Sequence, residues 1–195
     1  MKTQLWIDHE GYGEPCAERY TPVRGEKPGW AKPAARCAFW TSTHGDEDSW
    51  LAWLIGEVWS PGAGRLEDHG FWLLEPDPAA RVYEIDALDD LVTLLRDYGL
   101  PKYPTLPDAG LLSEDKRILA DDKRPDFEAM ARDGFDGLHL TGEGQWLTRL
   151  SLPSLYGWDC ESTLWFRWAF TAARRITHEE AIAALPAEAR ERMAV

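Results

Sequence analysis

The chain has 195 residues, 44% of them hydrophobic and 12% aromatic, which is enough apolar side chain to bury a substantial core within one domain. Against 21 Lys and Arg stand 34 Asp and Glu, a net charge of −13 whose field repels phosphate backbones and argues against unaided, non-specific nucleic-acid binding. No cationic segment followed by an apolar run opens the sequence, and no stretch approaches 18 uninterrupted apolar residues, so the expectation is a cytoplasmic protein with neither leader nor membrane span.

Along the chain, Leu5 to Asp8 reads as a first strand, and Gly11 to Ala35, rich in Gly, Pro and charge, as irregular connection. Ala38-Phe39-Trp40-Thr41-Ser42-Thr43 is β-prone, ends in hydroxyls and runs through Gly45 to Ser49 into an amphipathic helix over Trp50 to Trp59. Ser60 to Gly64 breaks that helix. Phe71 to Glu75 and Arg81 to Asp86 flank Pro76-Asp77-Pro78 and read as a hairpin. Asp86 is placed to cap a helix whose stripe is Leu88, Leu91, Val92, Leu94 and Leu95, ending at Gly99.

Residues 102–123 read as a surface excursion or lid. A short helix from Pro125, stopped at Gly134, feeds a turn and a strand over Phe135 to Thr141. Gly142 to Leu155 reads as a long connection, and Ser162 to Phe170 as one strand with an apolar face. Thr177-His178-Glu179-Glu180 fits a capping box opening a terminal helix that restarts at Pro186.

Cys16, Cys37 and Cys160 lack any Cys-x-x-Cys pair and read as reduced and structural. The five histidines show no i,i+4 pairing, so no metal is predicted. Eleven tryptophans signal core or interface area, with a few lining a pocket for a planar ligand. Asp159 and Glu161, two apart at the mouth of a strand, are expected on one face, where one carboxylate stabilises a cationic sugar and the other orients a nucleophile. Against this stands the reading of both as solvated loop acids. Thr41, Ser42 and Thr43 offer hydroxyls to a carboxamide or ribose, or simply cap a helix. His9 reads either as a residue that stacks on or hydrogen-bonds a ligand or as a structural histidine, and Arg19 and Arg24 as alternative phosphate contacts.

Taken together, the strand Phe39-Trp40-Thr41-Ser42-Thr43 with its helix, the turn Gly134-Phe135-Asp136-Gly137-Leu138-His139, and Asp159-Cys160-Glu161 before an apolar strand resemble the ADP-ribosyltransferase superfamily, bacterial and phage type. The resemblance implies an α+β fold, a split mixed β-sandwich flanked by helices over 1–195, with NAD in the cleft between two sheets and no metal. It implies that Glu161 hydrogen-bonds the nicotinamide ribose and stabilises the oxocarbenium ion, and that Asp159 faces the acceptor. Trp40, Thr41, Ser42 and Thr43 would support the nicotinamide pocket. His9, or else Arg19, would take the place of the family's first-strand Arg or His. The implied activity is mono-ADP-ribosyl transfer to an unidentified protein or nucleic-acid acceptor, as a toxin or phage effector. Two alternatives stand beside it: an NAD glycohydrolase with water as acceptor, and an acidic, Trp-rich, non-enzymatic interaction or inhibitor module.

Overall fold

In a computed structural model of the chain, residues 1–19, 32–33, 39–58, 66–101 and 122–191 are described. The strands are β1 (Gln4–Asp8), β2 (Phe39–Thr43), β3 (Gly70–Pro76), β4 (Val82–Ile85), β5 (Gly99–Pro101), β6 (Lys123–Pro125), β7 (Gly137–Leu140), β8 (Ser162–Trp165) and β9 (Phe170–Ile176). The helices are α1 (Trp50–Trp53), α2 (Leu88–Tyr98), α3 (Phe127–Arg132), α4 (Gly142–Arg149), α5 (His178–Ala183) and α6 (Ala187–Glu191). This is an α+β protein built on a seven-stranded sheet, order β4-β7-β8-β2-β1-β3-β9, antiparallel except for β4 beside β7; β5 and β6 form a separate pair. Among the described residues, no helix is long and apolar enough to cross a membrane.

Period-2 alternation divides the sheet into two faces. One face sends Ile85, Leu138, Leu140 and Leu164 under α2 and α3, where Leu91, Leu94, Phe127 and Met130 meet them. On the same face Leu5, Ile7, Phe71 and Leu73 pack against Leu51, Leu54 and Ala181. Each such fully buried aliphatic side chain stabilises the fold by about 1.5–3 kcal/mol relative to leaving it in water. The opposite face carries an aromatic cluster of Trp165 and Phe170 with Trp6, Phe39 and Trp168. Beside that cluster lies a buried polar row, Gln4, Thr41, Thr43 and Thr163.

Several expectations change. Phe71–Glu75 and Arg81–Asp86 do not form a hairpin: β3 pairs with β1 and β9, and β4 pairs parallel to β7. Pro76 and Pro78 bring no N–H to a ladder, and the intervening Asp77 donates its own N–H to Ala169 O at 2.9 Å instead. The connection from β4 to its parallel partner β7 contains α2 and α3, the kind of crossover a parallel pair requires. The helix from Trp50 is α only to Trp53 and continues as a π-turn over Leu54–Val58. At α2 the Asp90 carboxylate, rather than Asp86, satisfies the N-terminus by accepting from Ala87 N at 2.9 Å and Asp86 N at 3.0 Å. Gly142–Arg149 is helical, not a connection, with Thr141 as its N-cap. The strand expected over Ser162–Phe170 is two strands, because Phe166 N donates to Asp136 O and turns the chain between them. Of the expected excursion over 102–123, residues 102–121 lie outside the described residues, as do Cys37 and Arg24, while Lys123 opens β6.

Candidate functional site

The pairing of β1 with β2 consists of two register partners, Gln4↔Thr43 and Leu5↔Ser42. On its other edge β1 pairs with β3 along all five residues, and β2 pairs with β8 over Phe39, Trp40 and Thr41. Two strands joined at one end and pulled apart by their outer neighbours must diverge. The gap holds a cavity of about 740 Å³, lined by Trp6 and Ile7 from β1 and Phe39, Trp40, Thr41 and Ser42 from β2. That volume lies within the range of small-molecule and cofactor sites.

One rim is the loop after β1, which contributes His9, Glu10, Tyr12, Pro15 and Cys16. Asp8, 3% exposed, shapes it. Its Oδ1 accepts from Glu10 N at 3.3 Å and Tyr12 N at 3.0 Å, and its Oδ2 accepts from Gly13 N at 2.7 Å. Gly11 and Gly13, at φ 73° and 79°, supply the left-handed backbone that lets the loop wrap this carboxylate. His9 accepts the indole N–H of Trp50 at Nε2, 3.2 Å away, and sits edge-on to His69. Partial burial, then the neighbouring His69, holds its pKa below the ordinary value. His9 is therefore neutral at pH 7, with Nδ1 carrying the proton.

The hydroxyls differ in what they have left to offer. Thr41 Oγ1 donates to Gln4 Oε1 at 2.7 Å and accepts from Trp165 Nε1 at 2.8 Å, so its proton is committed to the wall. Ser42 Oγ accepts from Trp50 N at 2.9 Å, and its O–H has no acceptor among the described residues. Thr43 is buried and turns its backbone N–H to Glu161. Trp40 and Trp158 meet at a ring distance of 4.7 Å and 73°, forming two walls of an aromatic corner.

The two acidic residues are separated. Asp159 lines the cavity and pairs with Lys32 Nζ at 3.2 Å. Lys32 is the one Lys or Arg in that lining among the described residues. Glu161 is 1% exposed and is not part of the lining. Its carboxylate accepts Thr43 N–H at 2.9 and 3.1 Å and meets His139 Nε2 at 2.9 Å. Expecting the pair on one face assumed a strand, but β8 begins only at Ser162. Glu161 N donates to Asp48 O at 2.9 Å, and Glu161 forms an isolated parallel bridge with Ser49, so the segment before α1 holds this residue. Between them Cys160 is buried; desolvation, then the Glu161 and Asp159 charges, push its thiol far up, and it is no nucleophile.

Of the residues expected at a site, His9, Trp40, Thr41, Ser42 and Asp159 converge on one cavity. Thr43 and Glu161 lie together just outside it. Arg19 ends a 3-10 turn, and its side chain is outside the described residues. Asp8 and Trp50 are not marked as site residues by the sequence, whereas Trp158 stands out there as a ring crowding the Asp159 turn. An Asp followed by Gly at the third and fifth positions, as in Asp8-His9-Glu10-Gly11-Tyr12-Gly13, is the local signal that points to the first. Among the described residues, no group of three or more His, Cys, Asp or Glu could hold a metal ion. No protein-family model, curated protein or solved structure matches the chain.

Proposed function

We propose that the cleft between β1 and β2 binds NAD and that the protein cleaves the nicotinamide–ribose bond, transferring ADP-ribose to a macromolecular acceptor within an ADP-ribosyltransferase-like split sandwich. The observation that carries this reading is the convergence of Trp40, Ser42, His9 and Asp159 where the sheet divides. The nicotinamide of NAD is a pyridinium cation, which suits the Trp40–Trp158 corner and a site carrying the carboxylates of Asp159 and Glu10. Ser42 O–H and His9 Nδ1–H are donors for the carboxamide oxygen or a ribose hydroxyl. Lys32 is placed for the diphosphate, which would draw it from Asp159.

In this reading Asp159, rather than Glu161, is the carboxylate beside the reacting sugar. The C1′–N bond breaks with its electron pair leaving on neutral nicotinamide, and the Asp159 charge stabilises the oxocarbenium ion left behind. A lone pair of the acceptor forms the new bond to C1′, and the acceptor's proton passes to Asp159. Glu161 holds the end of β2 in place.

The test is nicotinamide release and label transfer from labelled NAD in a lysate, with wild type, Asp159→Asn and Ser42→Ala. Removing the Asp159 charge is expected to lower turnover on the order of 10²-fold with the fold intact. Free ADP-ribose without labelled macromolecules assigns water as acceptor. If neither binding nor cleavage of NAD occurs, the reading fails. A non-enzymatic interaction module is favoured by one observation, the apolar stretch formed by Trp146, Leu150, Leu152 and Tyr156, which are 73%, 85%, 62% and 55% exposed. It predicts that Trp146→Ser abolishes partner capture while Asp159→Asn does not.

A further inference from the structure

Glu161 belongs to a chain of three ionisable side chains that the chemistry above does not use. His139 on β7 faces Glu84 across the parallel pair with β4 and Thr163 across the antiparallel pair with β8. Its Nδ1 lies 3.2 Å from Glu84 Oε2 and its Nε2 lies 2.9 Å from Glu161 Oε1. The three run from water to the interior, with side-chain exposures of 64% for Glu84, 12% for His139 and 2% for Glu161. A neutral imidazole has one N–H and cannot donate to two carboxylates, whereas an imidazolium donates to both. With both carboxylates ionised, the geometry therefore calls for a charged His139.

We propose that Glu84, His139 and Glu161 form a proton-loaded clamp on the end of β2, and that losing the proton loosens the junction where the cleft opens. The Glu161 carboxylate reaches Thr43 N–H, and Gln4↔Thr43 is one of the two register pairs joining β1 to β2. When His139 is neutral, one nitrogen turns a lone pair on a carboxylate. Glu84 can leave for water, but Glu161 cannot, and it is left as a buried anion without its cation. The charges acting on His139 are Glu161, from the segment entering β8, and Glu84 from β4. The other facing groups are neutral: Thr43 N–H from β2 through Glu161, and the buried Thr163 hydroxyl, which has no hydrogen-bond partner among the described residues. Burial pushes the imidazole down, but hydrogen bonds and charge from Glu161 and Glu84 outweigh it and hold its pKa above 6.5.

A group whose folded pKa is raised adds stability that is complete below its unfolded pKa and is lost as pH rises through the folded one. The clamp is tested without ligand by following the His139 ring by NMR and Tm from pH 5.5 to 9 in wild type and His139→Gln. In wild type minus His139→Gln, Tm is expected to fall by roughly 3–5 °C per pH unit between 6.5 and the ring's own pKa, since one proton is a tenfold change in the folding equilibrium per unit. Should His139→Gln not fold, Glu84→Gln carries the test, because losing an exposed partner must lower the ring's titration midpoint. A ring that titrates at or below 6.5, or a pH profile shared by wild type and His139→Gln, overturns the clamp. Its effect on ligand rests on the cleft being the NAD site: affinity should weaken as the ring loses its proton. No NAD binding at any pH, with the Tm profile as expected, would sink the proposed function and leave the clamp standing.

Discussion

Asp8→Asn isolates what shapes the rim of the cleft. The carboxylate takes three backbone N–H groups on two oxygens, with the shortest contact, 2.7 Å, from Gly13 to Oδ2. Asparagine keeps one oxygen, which can still serve Glu10 and Tyr12, but sets an NH2 against the Gly13 N–H. One hydrogen bond to a charged group is lost outright, a cost of about 1.5–3 kcal/mol, and the other two lose their charge assistance. Glu10, Tyr12 and Gly13 are exposed, so a released amide finds water and the total falls at the lower end of that range. Because the fault lies in a surface loop, it should appear as local opening rather than global unfolding. Hydrogen exchange at Tyr12 and Gly13 is expected to speed up roughly tenfold, the equivalent of about 1.4 kcal/mol, while Leu94 and Leu138 in the core hold. Under the proposed function, affinity for NAD should fall in parallel. Unchanged protection at Gly13 would refute the assigned role of Asp8.

Gly144→Ala places a Cβ 2.1 Å from Ile85 O, so α4 must lift off β4; urea unfolding should show a loss at or above the usual 1–3 kcal/mol of overpacking. Trp158→Ala removes a side chain 1% exposed, with an expected loss of about 3–5 kcal/mol on the same assay and a cleft missing one aromatic wall. Iodoacetamide at pH 8 should label Cys16 in the native protein and leave Cys160 unmodified until denaturant is added, as peptide mapping would reveal. His9 has a depressed pKa, so its contribution is present above its unfolded pKa and is lost as pH falls through the folded one. Its protonation ends the bond from Trp50 Nε1, and tryptophan fluorescence should change below pH 6.5 in wild type but not in His9→Gln.

Local pattern made β1, β2 and α2 readable, because alternation and a 3.6-residue stripe are properties of consecutive side chains. The capping box at Thr177 and Glu180 was equally legible, its two hydrogen bonds being made within four residues at 2.8 and 3.2 Å. α4 was hidden by Gly142 and Gly144, which read as loop yet are small because Asp48 and the Ile85 carbonyl press on the helix backbone. Such pressure from distant segments leaves no periodic trace. The same holds for the candidate site. Residue type drew attention to Trp40, Ser42, His9 and Asp159, but that β1 and β2 separate after two pairs depends on the pull of β3 and β8 on their outer edges. Spacing put Asp159 and Glu161 on one face. Only the contact of Glu161 with Asp48, Thr43 and His139, 113, 118 and 22 residues away, turned one carboxylate into the wall and left the other facing the cleft.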